Sequence, residues 1–345
     1  MSVMSVTGPV EQDQLGIVLP HEHLFIDLRN QFTEFTDPEK KRISDQPLCM
    51  QNLGYVRSNP YAIRDNLVMD NVNVAVDEAR AFEHVGGRTI VDCTSVGIHR
   101  DAVKLKELAQ RTGLNIIAGC GYYTHDTHPG QMESWDEAQI ADQMLRDMLE
   151  GIDGSGIRAG IYGEIGTSRE IHAHERKTLA AVARAFSRYR AEVQIHTYPW
   201  ATAGVEASRL LIDSGVDPTK IVICHIDVEF NRPYIIELLE LGVNIEFDNF
   251  GKEFYINKAD RGFAGGVFAR DIERVRVIRD LLDADFAPQL LITNDICLKS
   301  MLRTFGGTGY DHILRNIVPM MLDEGIGQNT IDQLLQTNPA RTLCE

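Results

Sequence analysis

Arg88-Thr89-Ile90-Val91-Asp92-Cys93 (88–93) is a short run rich in β-branched side chains, and it follows an amphipathic stretch at 72–84 that Gly86-Gly87 stops. Apolar residues at helical spacing followed by a β-rich run predict a helix and then a strand. With the apolar run Leu15 to Leu19 upstream, the three segments make one β-α-β unit. The alternation continues outward along the chain. Strands are expected at 115–120, 159–164, 192–196, 221–225, 243–247 and 289–294, separated by helices near 101–110, 136–149, 175–189, 204–213 and 232–241. A helix at 267–283 precedes the eighth strand, and helices near 310–323 and 330–343 follow it.

Eight short apolar strands separated by helices, with no Rossmann glycine fingerprint in the first turn, predict an α/β chain folded as a closed (β/α)8 TIM barrel. No shift in composition marks a linker, so residues 1–345 are read as a single domain. Residues 28–70, interrupted by Pro38, Pro47 and Pro60, form an insertion after strand one. Lid loops are expected after strands seven and eight, the first of them carrying Arg261-Gly262-Phe263-Ala264-Gly265-Gly266.

Charge narrows the partners. Against 34 basic residues stand 50 acidic ones, a formal charge of −16, which repels nucleic acid and anionic membranes. The expected partner is therefore a small-molecule substrate. No run of about 18 apolar residues and no leader-like pattern is readable, so the expected location is cytoplasmic. The six cysteines, Cys49, Cys93, Cys120, Cys224, Cys297 and Cys344, lack CxxC spacing and read as buried, reduced thiols.

Chemistry concentrates where a barrel would place it, at the C-terminal ends of strands. His21 and His23 end strand one and project from the same face, with Glu22 opposite. Glu164 ends strand four, His196 strand five, His225 strand six and Asp295 strand eight. Singly, each has a plainer reading: Glu164 as a helix cap, His196 and His225 as satisfied core histidines, Asp295 as the N-cap before Ile296. Jointly they would be costly to bury without a cation. The ligand count suits two divalent ions, with His21, His23 and Asp295 on one, His196 and His225 on the other, and Glu164 bridging. Imidazole-rich ligation favours zinc, while manganese, iron, nickel or cobalt also fit an N/O set. Such a pair supports hydrolysis by a bridging hydroxide, with Asp295 as the catalytic proton acceptor.

These residues resemble the phosphotriesterase family of the amidohydrolase superfamily across nearly the whole chain. The carriers are His21-Glu22-His23, Gly163-Glu164-Ile165-Gly166-Thr167-Ser168, Ile195-His196-Thr197, His225-Ile226-Asp227, Thr293-Asn294-Asp295-Ile296-Cys297, the 306–313 segment Gly-Gly-Thr-Gly-Tyr-Asp-His-Ile, and Asn338-Pro339-Ala340-Arg341. The resemblance implies a (β/α)8 barrel, a binuclear, usually zinc centre and a homodimer. The phosphotriesterase proper bridges its metals with a carbamylated lysine, whereas this chain has Glu164, as the phosphotriesterase homology proteins do. That departure ranks a lactone or related carboxyl ester, including a phosphorylated sugar lactone, above a phosphotriester. Amide hydrolysis and mononuclear deamination are alternatives within the superfamily, and a metal-stabilised binding protein is the alternative that is not an enzyme. For substrate contacts, Tyr123 after strand three is the expected pocket member, and Lys252, Lys299 and Arg303 after strands seven and eight are candidates to hold an anion.

Overall fold

The computed structural model describes residues 1–258, 261–263 and 265–345. Its central sheet has eight parallel strands that pair in chain order: β1 (Ile17–Glu22), β2 (Gly87–Asp92), β3 (Asn115–Cys120), β4 (Ile161–Gly166), β5 (Val193–His196), β6 (Ile221–Ile223), β7 (Asn244–Phe247) and β8 (Leu290–Ile292). Helices connect the strands over the outer face, as parallel strands require.

Local chemistry sets the helix ends. The Asn71 side chain accepts from the N–H groups of Asn73 and Val74 at the start of α1 (Val72–His84). Asp101 caps α2 (Ala102–Thr112), which stops at Gly113 with φ of 76°, a left-handed conformation that glycine adopts without a Cβ clash. A reciprocal Asp136/Gln139 capping box starts α3 (Glu137–Leu149). The outer layer continues with α4 (Ala173–Phe186), α5 (Ala203–Asp213), α6 (Arg232–Glu240) and α7 (Asp271–Leu282), and helical residues 313–323 and 328–343 complete it.

Two polar and apolar seals finish the barrel. Among the described residues no backbone ladder joins β8 to β1; the Glu22 carboxylate spans that seam instead. It accepts from Thr293 Oγ1 at 2.6 Å, Asn294 N at 3.0 Å, Asn294 Nδ2 at 2.9 Å and Ile296 N at 2.8 Å. At the other end, a hairpin of Ser2–Ser5 and Gly8–Glu11 covers the barrel floor, packing Val3 and Val10 with Val18, Val91, Ile117 and Ile161.

Several expectations shift. The helix expected at 267–283 begins only at Asp271, because Phe268 N donates to Phe254 O and Val267 bridges Tyr255, which holds that segment extended. The insertion at 28–70 contains two short helices, Pro38–Ser44 and Leu53–Ser58. Ala264 of the glycine-rich lid lies outside the described residues. Cys49 is exposed, unlike the other five free cysteines, because it sits in the insertion and not at the end of a core strand. Among the described residues, no helix is long and apolar enough to cross a membrane.

Candidate metal centre

All six expected ligands meet at one mouth of the barrel, and all are buried. Period-two alternation along β1 carries His21 and His23 toward the barrel axis and Glu22 into the seam. His225 and Asp295 follow the ends of β6 and β8 with φ of 62° and 47°, left-handed conformations rare for residues with a Cβ. The His225 N–H donates to Asp248 Oδ2 at 2.9 Å, which holds that turn in place.

Glu164 is the geometric centre of the cluster. Its Oε1 lies 3.5 Å from His23 Nε2, and its Oε2 lies 3.1 Å from His196 Nδ1, 3.3 Å from His225 Nε2 and 3.6 Å from His21 Nε2. Asp295 Oδ1 is 3.2 Å from His23 Nε2 and 3.9 Å from His21 Nε2. The His21, His23 and Asp295 atoms fall within 4.8 Å of one another, as do those of His21, Glu164 and His225, close enough in each case to share one ion. His21 Nε2 is fully buried and makes no hydrogen bond among the described residues, an orphan aimed at the carboxylates that a cation would satisfy.

A second ring of groups fixes the imidazoles. His21 Nδ1 lies 3.0 Å from Glu246 Oε2, His225 Nδ1 lies 3.0 Å from Asp248 Oδ2, and His23 Nδ1 lies 2.9 Å from Thr94 Oγ1. A carboxylate on Nδ1 keeps the proton there and leaves the Nε2 lone pair free for a metal. Burial alone would raise the Glu164 carboxyl, but His196, His225 and His21 outweigh it and hold it well below the carboxylate range. Asp295 is likewise held low against burial, chiefly by Lys252. Both are therefore anionic donors at neutral pH.

Sequence reasoning passed over Glu246 and Asp248 by treating β7 as an apolar strand. The signal was in Asn244-Ile245-Glu246-Phe247-Asp248, which alternates polar and apolar with polar side chains toward the axis.

The cavity over the centre, about 40 Å³, is lined by His23, Glu164, His196, His225 and Asp295, together with Tyr123, Lys252, Cys297 and an apolar wall. Lys252 is the only lysine or arginine among the described lining residues, and its Nζ contacts Asp295 Oδ2. Buried Arg274 holds the Lys252 loop by donating to Lys252 O at 3.2 Å and Asp227 Oδ2 at 2.9 Å. Tyr123 Oη accepts from Gln31 Nε2 at 3.1 Å and lies 3.3 Å from the His196 ring, and burial keeps its phenol protonated. Lys299 and Arg303 lie away from this cavity. Lys299 Nζ pairs with Asp65 at 2.6 Å, and Arg303 pairs with Asp311 at 2.8 Å.

The model of the phosphotriesterase family matches residues 1–343. An N-acetyltaurine hydrolase of Danio rerio is 36% identical over 343 residues, covering 99% of this chain and 97% of the relative. Among solved structures, a resiniferatoxin-binding protein of Rhodobacter sphaeroides superposes with a TM-score of 0.95 at 31% identity, covering 99% of this chain and 94% of the other. A variant of a phosphotriesterase-like lactonase of Deinococcus radiodurans gives 0.77 at 27% identity, covering 99% and 100%. A family match that spans His21 to Asp295 joins the sequence to the buried cluster, whose histidines and carboxylates could hold a metal: the chain belongs to the phosphotriesterase family.

Proposed function

We propose that this protein hydrolyses a small carboxylic amide whose leaving amine carries an anionic group, using a centre of two divalent cations. The observation that carries this reading is Lys252, a buried ammonium beside Asp295 and facing the same cavity as the ligand cluster. His21, His23 and Asp295 would hold one cation and His196 and His225 the other. Glu164 would lie between them: its Oε1 faces His23, and its Oε2 faces His196, His225 and, at 3.6 Å, His21. Zinc suits this donor set best, with manganese, iron, nickel and cobalt compatible. When bound, the cations supply a polarised carbonyl oxygen and a water acidified toward neutral pH.

The chain's own residues do the rest. Asp295, anionic and within reach of the centre, accepts the proton of the attacking water and returns it to the departing amine nitrogen. Lys252 orients Asp295 through Oδ2 and presents its remaining N–H donors to the substrate anion. Tyr123, kept protonated by burial, offers an O–H to the substrate.

The relatives named N-acetyltaurine hydrolase support an acetyl amide with a sulfonate on the amine side. Lactone opening is the second reading, favoured by the lactonase neighbours, and uses the same groups with an alkoxide in place of the amine. A phosphorylated lactone fits less well, since a dianion would meet Lys252 alone while Lys299 and Arg303 are engaged elsewhere. A homodimer belongs to the same proposal and is tested by sedimentation.

The test is a turnover screen of metal-loaded protein on N-acetyltaurine, N-acetyl amino acids, γ-lactones, a phosphorylated lactone and a phosphotriester. The expected result is a kcat/KM for N-acetyltaurine at least tenfold above the others. A tenfold preference for a lactone would replace the amide reading with the ester one.

A further inference from the structure

The turn that carries Lys252 is tied down by buried groups from three directions. Residues 249–252 follow β7 and turn through Gly251, whose φ is 85°, with Lys252 N donating to Asn249 O at 3.0 Å. Asp227, after β6, accepts from Asn249 N at 3.1 Å. A Cβ on Gly251 would come within 2.9 Å of Thr308 Oγ1 and 3.4 Å of the His312 ring, so glycine there lets the 306–313 segment close against the turn. Asp271, the first residue of α7, joins these parts. Its Oδ1 accepts from Gly251 N at 2.9 Å and from Arg274 Nη1 at 3.0 Å, and its Oδ2 lies 2.8 Å from His312 Nε2. Asn316 Nδ2 lies 2.8 Å from His312 Nδ1, and an amide nitrogen only donates, which leaves the ring proton on Nε2 facing the carboxylate. Asp227, Asp271, Arg274 and His312 are all buried. Burial would raise the Asp271 carboxyl, but His312, Gly251 and Arg274 hold it below its ordinary value.

We infer that Asp271, clamped between Arg274 and His312, is the positioning residue that fixes the Lys252 ammonium in the cavity and so sets the preference for an anionic substrate. This rests on the reading of Lys252 as the group that holds the substrate anion. A lysine is a point charge on a flexible four-carbon stem, so its aim depends on where its backbone is held. Buried ion pairs add little net stability over well-packed apolar side chains, and the cluster is better explained by the position it imposes. The same contacts give the 306–313 segment a task at the site, since His312 reaches the Lys252 turn through Asp271.

The test compares wild type, Asp271→Asn, His312→Gln, Lys252→Met and the double variant Asp271→Asn with Lys252→Met, each metal-loaded. Steady-state kinetics sets N-acetyltaurine against N-acetylethanolamine, which has a neutral hydroxyl in place of the sulfonate, and calorimetry measures methanesulfonate binding. In Asp271→Asn the ratio of kcat/KM for the anionic over the neutral amide should fall tenfold or more, through KM and with kcat changed less than threefold. Methanesulfonate binding should weaken in parallel, with a smaller loss for His312→Gln. Lys252→Met should lose the same preference, and adding Asp271→Asn to it should produce no further loss, since both act through one ammonium. If wild type cleaves neither amide, the amide reading fails and methanesulfonate binding alone decides the role of Asp271. Weaker binding in Lys252→Met but not in folded, fully metallated Asp271→Asn, or an additive loss in the double variant, would overturn the inference alone. No binding by wild type, or none lost in Lys252→Met, would overturn the anion reading and the inference with it. Should Asp271→Asn not fold, His312→Gln is held to the same criterion.

Discussion

At the residue scale, carboxylates stand behind two of the imidazoles that could hold a metal. Glu246 and Asp248 set the proton on His21 and His225, so Glu246→Gln and Asp248→Asn should weaken metal binding by about 10–100-fold. Competition with a chromophoric chelator measures that, and unchanged affinity in both variants would reduce these carboxylates to packing. Asp295→Asn keeps a metal-facing oxygen and removes the proton acceptor, so kcat should fall by about 10²–10⁴ with metal retained. Elemental analysis alongside steady-state kinetics separates the two effects. The clustering of the six candidate ligands was legible in the sequence because each is a metal-binding residue type at a strand end. Lys299 and Arg303 show the limit of that method. Loop position alone could not tell a cation facing the substrate from one already paired, as Lys299 is with Asp65 and Arg303 with Asp311.

At the element scale, single acidic side chains tie segments together. The Glu22 carboxylate joins β1 to the residues after β8, and Glu22→Ala would strand Thr293, Asn294 and Ile296 donors in the interior. The loss should be on the order of 3 kcal/mol, read as a lower urea midpoint. Glu175 does the same for the loops after β3 and β4, accepting from Ser168 Oγ and from the N–H groups of Ser168, His172 and His125. Burial would raise this carboxyl, but those donors hold it below its ordinary value. A carboxylate held low stabilises the fold above the unfolded value of about 4.3 and loses that contribution as pH falls through its folded value. The stability gap between wild type and Glu175→Gln should therefore be about 1–3 kcal/mol near pH 7 and narrow below pH 4.5. A gap that stays constant from pH 7 to pH 3.5 would contradict that linkage. The strand and helix periods were readable because a (β/α)8 barrel repeats them. The seam was not, since Glu22 is opposed by residues some 270 positions away that no local pattern announces.

For the whole molecule, the picture is a barrel whose floor is sealed by apolar packing and whose mouth gathers histidines and carboxylates around an orphaned His21 Nε2. Burying that much ligand charge is costly without a cation, so metal binding and folding should be coupled. Protein stripped by a chelator should melt several degrees lower than metal-loaded protein, because a ligand present at 100 times its Kd adds about 2.7 kcal/mol. The number of ions is the point on which the functional account turns, since Glu164 faces His23 with Oε1 and His196, His225 and His21 with Oε2. The most direct measurement is the molar ratio of divalent metal to chain, by elemental analysis of protein reconstituted from the stripped form and freed of unbound ion. Two equivalents per chain are predicted, and one tightly held equivalent, or full turnover with none, would contradict the two-metal centre.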